Sequence, residues 1–226
     1  LFGLEYDRYE NQHTEIFDLE NSDRAFEEEV MLGGFGNAEV KPEGSGVVYE
    51  QAQETFTARY SHETVALAFS LTEEAVEDNL YDKISTRYTK ALARSMANTK
   101  QIKAANVLNR AFNSSFLGGD DKELCATDHP TLSGTQKNEL STAADLNETS
   151  LEQMLIDIAD MKDERGMKIA LRGMKMIIPV NLQFVAERLM KSAGRVGTAD
   201  NDLNAVRSMG MVPQGYVVNN FLTDTD

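Results

Sequence analysis

Residues 69–112 read FSLTEEAVEDNLYDKISTRYTKALARSMANTKQIKAANVLNRAF, and the rest of the chain is read outward from them. Thr72-Glu73-Glu74 opens a helical stretch. Apolar or small residues then recur at Leu80, Tyr81, Ile84, Tyr88, Ala91, Leu92, Ser95 and Met96, and again at Ile102, Ala105, Leu108 and Phe112. Steps of three and four put them on one stripe of a helix. Residues 79–112 contain neither Gly nor Pro. As a single helix they would span about 51 Å at ~1.5 Å per residue.

Upstream, the pattern becomes strand-like between Ala38 and Leu71. Pro42-Glu43-Gly44-Ser45-Gly46 is a strong turn signal, followed by the β-prone run Val47-Val48-Tyr49. Phe56, Ala58 and Tyr60 alternate with polar residues, as do Val65, Leu67, Phe69 and Leu71. The two runs have opposite parity, so a bend is expected at 61–64. The reading is a long two-stranded hairpin with little core of its own, which is marginal in water unless it leans on something else. Before it, residues 24–32 are read as a short helix ended by Gly33-Gly34-Phe35-Gly36.

Downstream, residues 113–147 are rich in loop signals, among them Gly118-Gly119-Asp120-Asp121 and Asp128-His129-Pro130. A second helix is expected over 151–164, with Thr149 and Glu152 as its capping box, Leu151, Met154, Leu155, Ile158 and Met161 as its stripe, and Gly166 as its stop. Strands are expected at 168–171 and 174–178. Pro179 then starts a third helix over about 180–192, since Pro suits a first turn. Gly194 ends that helix, 195–204 is loop, and 215–218 is strand-like. The class is α+β.

At 226 residues, 41% apolar and 26% charged, the chain can build a real core, so wholesale disorder is excluded. No apolar run approaches the ~20 residues of a membrane span. One cysteine, Cys125, excludes an internal disulfide framework and any Cys-rich metal site. The chain opens at Leu1 without an initiator Met and is read as a piece of a longer product. The net charge of −15 is segregated. Residues 1–78 hold 19 acids and 4 bases, 79–112 hold 1 acid and 7 bases, and 113–226 hold 17 acids and 11 bases. Phosphate contacts need clustered Lys and Arg, so only the middle segment could meet DNA.

Motifs with chemistry are scarce. Cys125 and His129 lie four apart with Asp128 beside them, but thiol catalysis needs a thiolate held by an oriented imidazole. Here they sit in a loop with no other His in the second half, and a structural role is the better reading. Gly33–Gly36 lacks the Lys-Ser/Thr ending of a phosphate loop. Asp200, Asn201 and Asp202 lack the glycine and distal Glu of a calcium loop. No catalytic, cofactor or metal residue is assigned, and the chain is read as a non-enzyme.

The order of these elements resembles the major capsid protein of tailed bacteriophages, the Hong Kong 97-type fold. Locally the sequence is similar to the Mu-like major head subunit family. The resemblance is carried by residues 69–81 and by Ala104–Phe112, then by Asp128-His129-Pro130. It continues through Ile177-Ile178-Pro179, Leu182, Ala186 and Leu189 to Gly197-Thr198-Ala199-Asp200-Asn201 with Asn204. It implies an N-terminal arm (1–36), an extended β-hairpin loop lying over a neighbour (37–71), the spine helix of a peripheral domain (72–112) and a mainly axial domain (113–226) with an incomplete C-terminus.

The function implied is a shell subunit that self-assembles, as hexamers and pentamers, into an icosahedral head around double-stranded DNA. The alternatives are an encapsulin-like compartment and, from another class, a Cys/His hydrolase. Expected partners are further copies, packaged DNA held non-specifically, and scaffold, portal and decoration proteins; no membrane is expected. The expected location is the virion, with assembly in the host bacterial cytoplasm. Candidate inter-subunit contacts are Lys41, Gly44, Gly46, Tyr49 and Arg59 on the hairpin, Arg87, Lys90 and Arg94 on the helix, and Thr198, Asp200 and Asn201 in the axial loop. Lys41 is the sole Lys before the helix, which argues weakly against a cross-linked shell.

Overall fold

A computed structural model describes residues 2–77, 84–195 and 202–223. The chain divides into two units, one made of Leu1–Ala25 with Ser61–Leu108, the other of Phe26–Tyr60 with Asn109–Asp226.

The first unit is built on the long helix. A short helix α1 (Phe2–Tyr6) and a 3-10 turn (Gln12–Glu15) precede the first strand in the chain. After the second strand come α2 (Glu73–Glu77) and then α3 (Ile84–Asn109). The expected start of the long helix at residue 79 lies outside the described residues. Its end falls three residues earlier than expected. The carbonyl of Ala111 is taken by the Cys125 N–H at 2.8 Å, while the side chain of Asn109 binds the Phe221 carbonyl and the Thr223 N–H. The helical ladder cannot continue through groups already committed elsewhere.

The buried face of α3 includes Ala105 of the expected stripe but otherwise differs from it. Ala93, Ala97, Gln101 and Ala105, spaced four apart, are buried, whereas Tyr88, Ile102 and Phe112 are about half exposed. Small residues let the N-terminal segment approach. The His13 N–H donates to Gln101 Oε1 at 3.1 Å, and Gln101 Nε2 donates to the Glu10 carbonyl at 3.2 Å. His13 is 3% exposed, and neither ring nitrogen has a hydrogen-bond partner among the described residues. A buried unsatisfied polar group carries its desolvation cost. His13→Met should therefore raise the free energy of unfolding by about 1 kcal/mol in urea titration. A loss of similar size would show that the ring's polarity is needed.

The second unit carries three two-stranded sheets. Strand β1 (Phe26–Gly33) pairs with β2 (Gln53–Ser61). Cross-strand contacts join Glu28 to Arg59 and Met31 to Thr55, so the strands run in opposite directions. This corrects two expectations. Residues 24–32 do not form a helix, because their alternating side chains find a partner strand. The segment 65–71 is not a strand; there Phe69 rests edge-on against Tyr88 at 5.7 Å. Val47-Val48-Tyr49 likewise belongs to no strand.

Residues 129–136, expected as loop, form an antiparallel hairpin of β3 (His129–Thr131) and β4 (Gly134–Gln136). Helix α4 (Glu148–Asp160) starts earlier than expected. Asn147, not Thr149, is the cap; its Oδ1 accepts the Ser150 N–H, and Ser150 Oγ accepts the Asn147 N–H. The helix also ends before Met161, well short of Gly166. Strand β5 (Met176–Pro179) leads through a 3-10 turn into α5 (Gln183–Lys191) and pairs in parallel with β6 (Tyr216–Asn219). Of the expected strand at 168–171, only an isolated bridge from Lys168 to Lys162 exists. A small core joins Leu151 and Leu155 of α4 to Val206, which lies in α6 (Ala205–Ser208), and to Val212.

Candidate inter-subunit surfaces

The β1–β2 hairpin has a braced stem and an unbraced tip. Along the stem, Arg59 pairs with Glu28 at 2.5 Å and its guanidinium lies 4.4 Å from the centre of the Phe26 ring. At the base, Gly119 packs against β2 so closely that an added Cβ would lie 3.1 Å from the Ala58 backbone. Arg165 donates from Nε to the Gly34 carbonyl (3.0 Å) and from its terminal nitrogen to the Gln51 carbonyl (3.1 Å), spanning both chain directions at the neck. Just beyond, the Gly36 N–H donates to Glu50 Oε2 at 2.6 Å.

Past that neck, residues 37–49 are all exposed. Val40 and Tyr49 are 94% and 92% accessible. Four expected contact residues, Lys41, Gly44, Gly46 and Tyr49, share this excursion. Gly44 has φ +81°, a conformation that favours glycine, and Ser45 closes the turn onto the Pro42 carbonyl. Arg59, by contrast, is committed within its own subunit. Glu50 and Arg165 were not singled out in the sequence. Arg165 lies 114 residues from Gln51, and no local pattern reveals such a brace.

On α3, Arg87, Lys90 and Arg94 are spaced three and four apart and so share one face. Lys90 already meets an acid of its own chain, Glu5, at 3.7 Å, and Glu5 also pairs with Arg8 at 3.1 Å. Arg87 and Arg94 are exposed and make no ion pair among the described residues. Two further cations are engaged elsewhere: Lys103 pairs with Glu63, and Arg110 lies 4.3 Å over Phe116. The basic segment is thus not one continuous stripe. Lys83, Thr198, Asp200 and Asn201 lie outside the described residues. What flanks the latter three is a closed base, in which Arg195 N–H donates to the Asp202 carbonyl at 2.8 Å and Gly194 bridges to Leu203.

The Cys125–Asp128–His129 cluster is separated by its partners. Asp128 pairs with Lys122. The His129 ring faces Asp120 at 2.6 Å and Asn138 at 3.2 Å. Burial, and then the nearby Glu139 charge, push the Cys125 thiol up, which disfavours the thiolate a nucleophile needs. Among the described residues no group of three or more His, Cys, Asp or Glu is placed to hold a metal, and no helix is long and apolar enough to cross a membrane.

A mixed α and β chain with a braced, outreaching hairpin and a long helix has the element order expected of a capsid-fold protein. A family described as phage capsid protein matches residues 54–226, and the chain belongs to that family. No curated protein sequence matches it.

Among solved structures, the fold is similar to the bacteriophage JBD30 capsid, with TM-score 0.66 and 12% identity over 89% of this chain and 88% of that one. It is also similar to the same phage's capsid decorated with minor capsid protein trimers (TM-score 0.65, 12% identity, 89% and 87%). The JBD30 procapsid matches at TM-score 0.57 and 13% identity over 98% and 96%. The expected phage capsid protein, with its α+β capsid fold, holds. The chain is a structural shell subunit of a phage head.

Proposed function

We propose that copies of this chain form the hexamers and pentamers of an icosahedral head around non-specifically held double-stranded DNA, with the excursion at 37–49 lying on a neighbouring subunit. The observation that supports it most is the exposure of Val40 and Tyr49 beyond a neck braced by Arg165 and Glu50. Apolar side chains held out on a fixed stem gain nothing within their own subunit. In this reading the extended loop runs from β1 through β2, α3 is the spine, and most of 113–226 is axial. The work is mechanical and no group acts catalytically. Scaffold, portal and decoration proteins are further partners, with minor capsid proteins of the kind that decorate the JBD30 shell among them. Assembly takes place in the host cytoplasm.

Arg87 and Arg94 are proposed to receive acidic segments of an adjacent copy, because residues 1–78 hold most of the acidic excess. Exposed pairs contribute only about 0–1 kcal/mol each, so several must act together. Electron microscopy of the purified full chain should show shells tens of nanometres wide. The double variant Arg87→Gln/Arg94→Gln should lower the yield of empty shells about tenfold. Wild-type assembly should weaken as salt rises, with exposed charges screened beyond ~10 Å at 0.1 M. Empty shells forming normally at every salt concentration, with only DNA-filled heads failing, would instead turn this face towards the genome.

A further inference from the structure

A cavity of about 370 Å³ opens where the base of the β1–β2 hairpin meets the β3–β4 hairpin and the turn at 161–169, all within the second unit. Its walls are apolar: Met31, Leu32, Phe56, Pro130 and Ile169 line it, and Met31, Leu32 and Ile169 are about half exposed. Three acids, Asp120, Asp163 and Glu164, also line it, and exposed Lys162 is the sole Lys or Arg among the lining residues. Two of the acids are engaged within the subunit. Asp120 accepts the Lys122 N–H and faces the His129 ring, while Asp163 Oδ1 accepts the Arg165 and Met167 N–H groups at 3.0 and 2.7 Å. Glu164 is left over. Its Oε2 is shut off from solvent and has no hydrogen-bond partner among the described residues. The adjacent cation, Arg165, is turned instead to the Gly34 and Gln51 carbonyls.

Apolar walls around an unanswered carboxylate fit a long cationic side chain, whose methylene stem packs on the walls while its ammonium meets the acid. We infer that Lys41 of a neighbouring copy is that side chain: the tip of one hairpin docks in the cavity at the base of the next. This rests on the reading that the excursion lies on a neighbour, and it names the seat. Lys41 is the only Lys or Arg in residues 37–49, is exposed, and makes no ion pair among the described residues. The neck bond from Gly36 to Glu50 closes the stem below it. The Arg165 brace serves both partners: in the copy that gives Lys41 it steadies the neck, and in the copy that receives it Glu164 is left free.

A buried ion pair is favourable only when its attraction exceeds the desolvation of both ions. Here Glu164 Oε2 is already cut off from water in the free subunit, so docking adds chiefly the desolvation of the ammonium. An acceptor that lacked a donor gains one. The contact joins two different patches, and head-to-tail contacts of that kind close into rings when the rotation fits. Each copy in such a ring gives one Lys41 and receives another.

The contact is tested by carbodiimide coupling, which joins an amine to a carboxylate it touches, on shells assembled from mixed light- and heavy-nitrogen full chains. Mass spectrometry should find Lys41 joined to Glu164 in peptides carrying one label of each kind, and not in unassembled subunits. Linked peptides of a single label only would put Lys41 on its own copy and overturn the docking, as would shells in which Lys41 is joined only to other acids or to none. Lys41→Glu and Glu164→Lys should each lower shell yield about tenfold, and the double variant, which restores opposite charges at every contact, should recover most of it. A loss with Lys41→Glu that Glu164→Lys does not rescue overturns the docking and keeps the excursion at the interface. Wild-type yield from Lys41→Glu and from the chain without 37–49 removes the interface reading and the docking with it. If circular dichroism shows that Glu164→Lys does not fold, the wild-type coupling decides alone.

Discussion

Replacing Asn37–Tyr49 by a short Gly/Ser turn leaves the subunit folded and abolishes shell formation. The stem keeps all its own contacts: the Glu28–Arg59 pair, the Arg165 brace onto the Gly34 and Gln51 carbonyls, and the neck bond from Gly36 to Glu50. The excised residues are wholly exposed, and Ser45 bonds only within its own turn. Removing surface that touches nothing should change unfolding free energy by no more than about 0.5 kcal/mol. The loss in assembly is of another order. A buried apolar or aromatic anchor at an interface is commonly worth about 2–4 kcal/mol, and every subunit would lose Val40 and Tyr49 together. Shell yield, followed by sedimentation and electron microscopy, should drop at least about a hundredfold. Shells at the wild-type yield would remove the excursion from the interface, and a collapsed circular dichroism spectrum would make it part of the fold.

Asn204→Ala unfolds the second unit far more readily than any surface change. Asn204 is 1% exposed and ties two helices together. Its Nδ2 donates to the carbonyls of Leu189 (2.7 Å) and Ser192 (3.2 Å) at the end of α5. Its Oδ1 accepts the Arg207 N–H (3.1 Å) at the start of α6. Alanine would leave two carbonyls and one N–H in a dry site, at a cost of about 3–5 kcal/mol measured by urea unfolding. Asn204→Asp keeps the cap but sets a buried carboxylate oxygen against two carbonyls, so it should be destabilised at least as much as the alanine. A cost under about 1 kcal/mol for Asn204→Ala would mean that the site admits water and the residue is no anchor.

Much of the capsid reading rests on features that are local in the chain. The long Gly- and Pro-free helix, the strand–Pro–helix order at Met176–Lys191 and the α4 stripe through Leu151 and Leu155 all survive in the structure. The candidate surfaces were less legible. Lys41, Gly44, Gly46 and Tyr49 fall together because a turn signal is local, whereas Arg59 lies back on the stem, paired with Glu28 and stacked on Phe26 of the neighbouring strand. Lys90 meets Glu5, 85 positions away, which charge counting cannot anticipate.

By itself, then, the sequence determined the α+β class, the order of α3, α4 and α5 and the outreaching turn, since caps, breakers and helical period act within a few residues. The tertiary structure alone decided that residues 26–33 are a strand paired with 53–61, that 65–71 has no partner, and that α3 buries Ala93, Ala97, Gln101 and Ala105. A strand exists only beside another strand, and the face a helix buries is set by what packs on it. In a shell protein an apolar residue has two destinations, its own core or a neighbouring copy. Periodicity along one chain carries no information about which of the two will cover it.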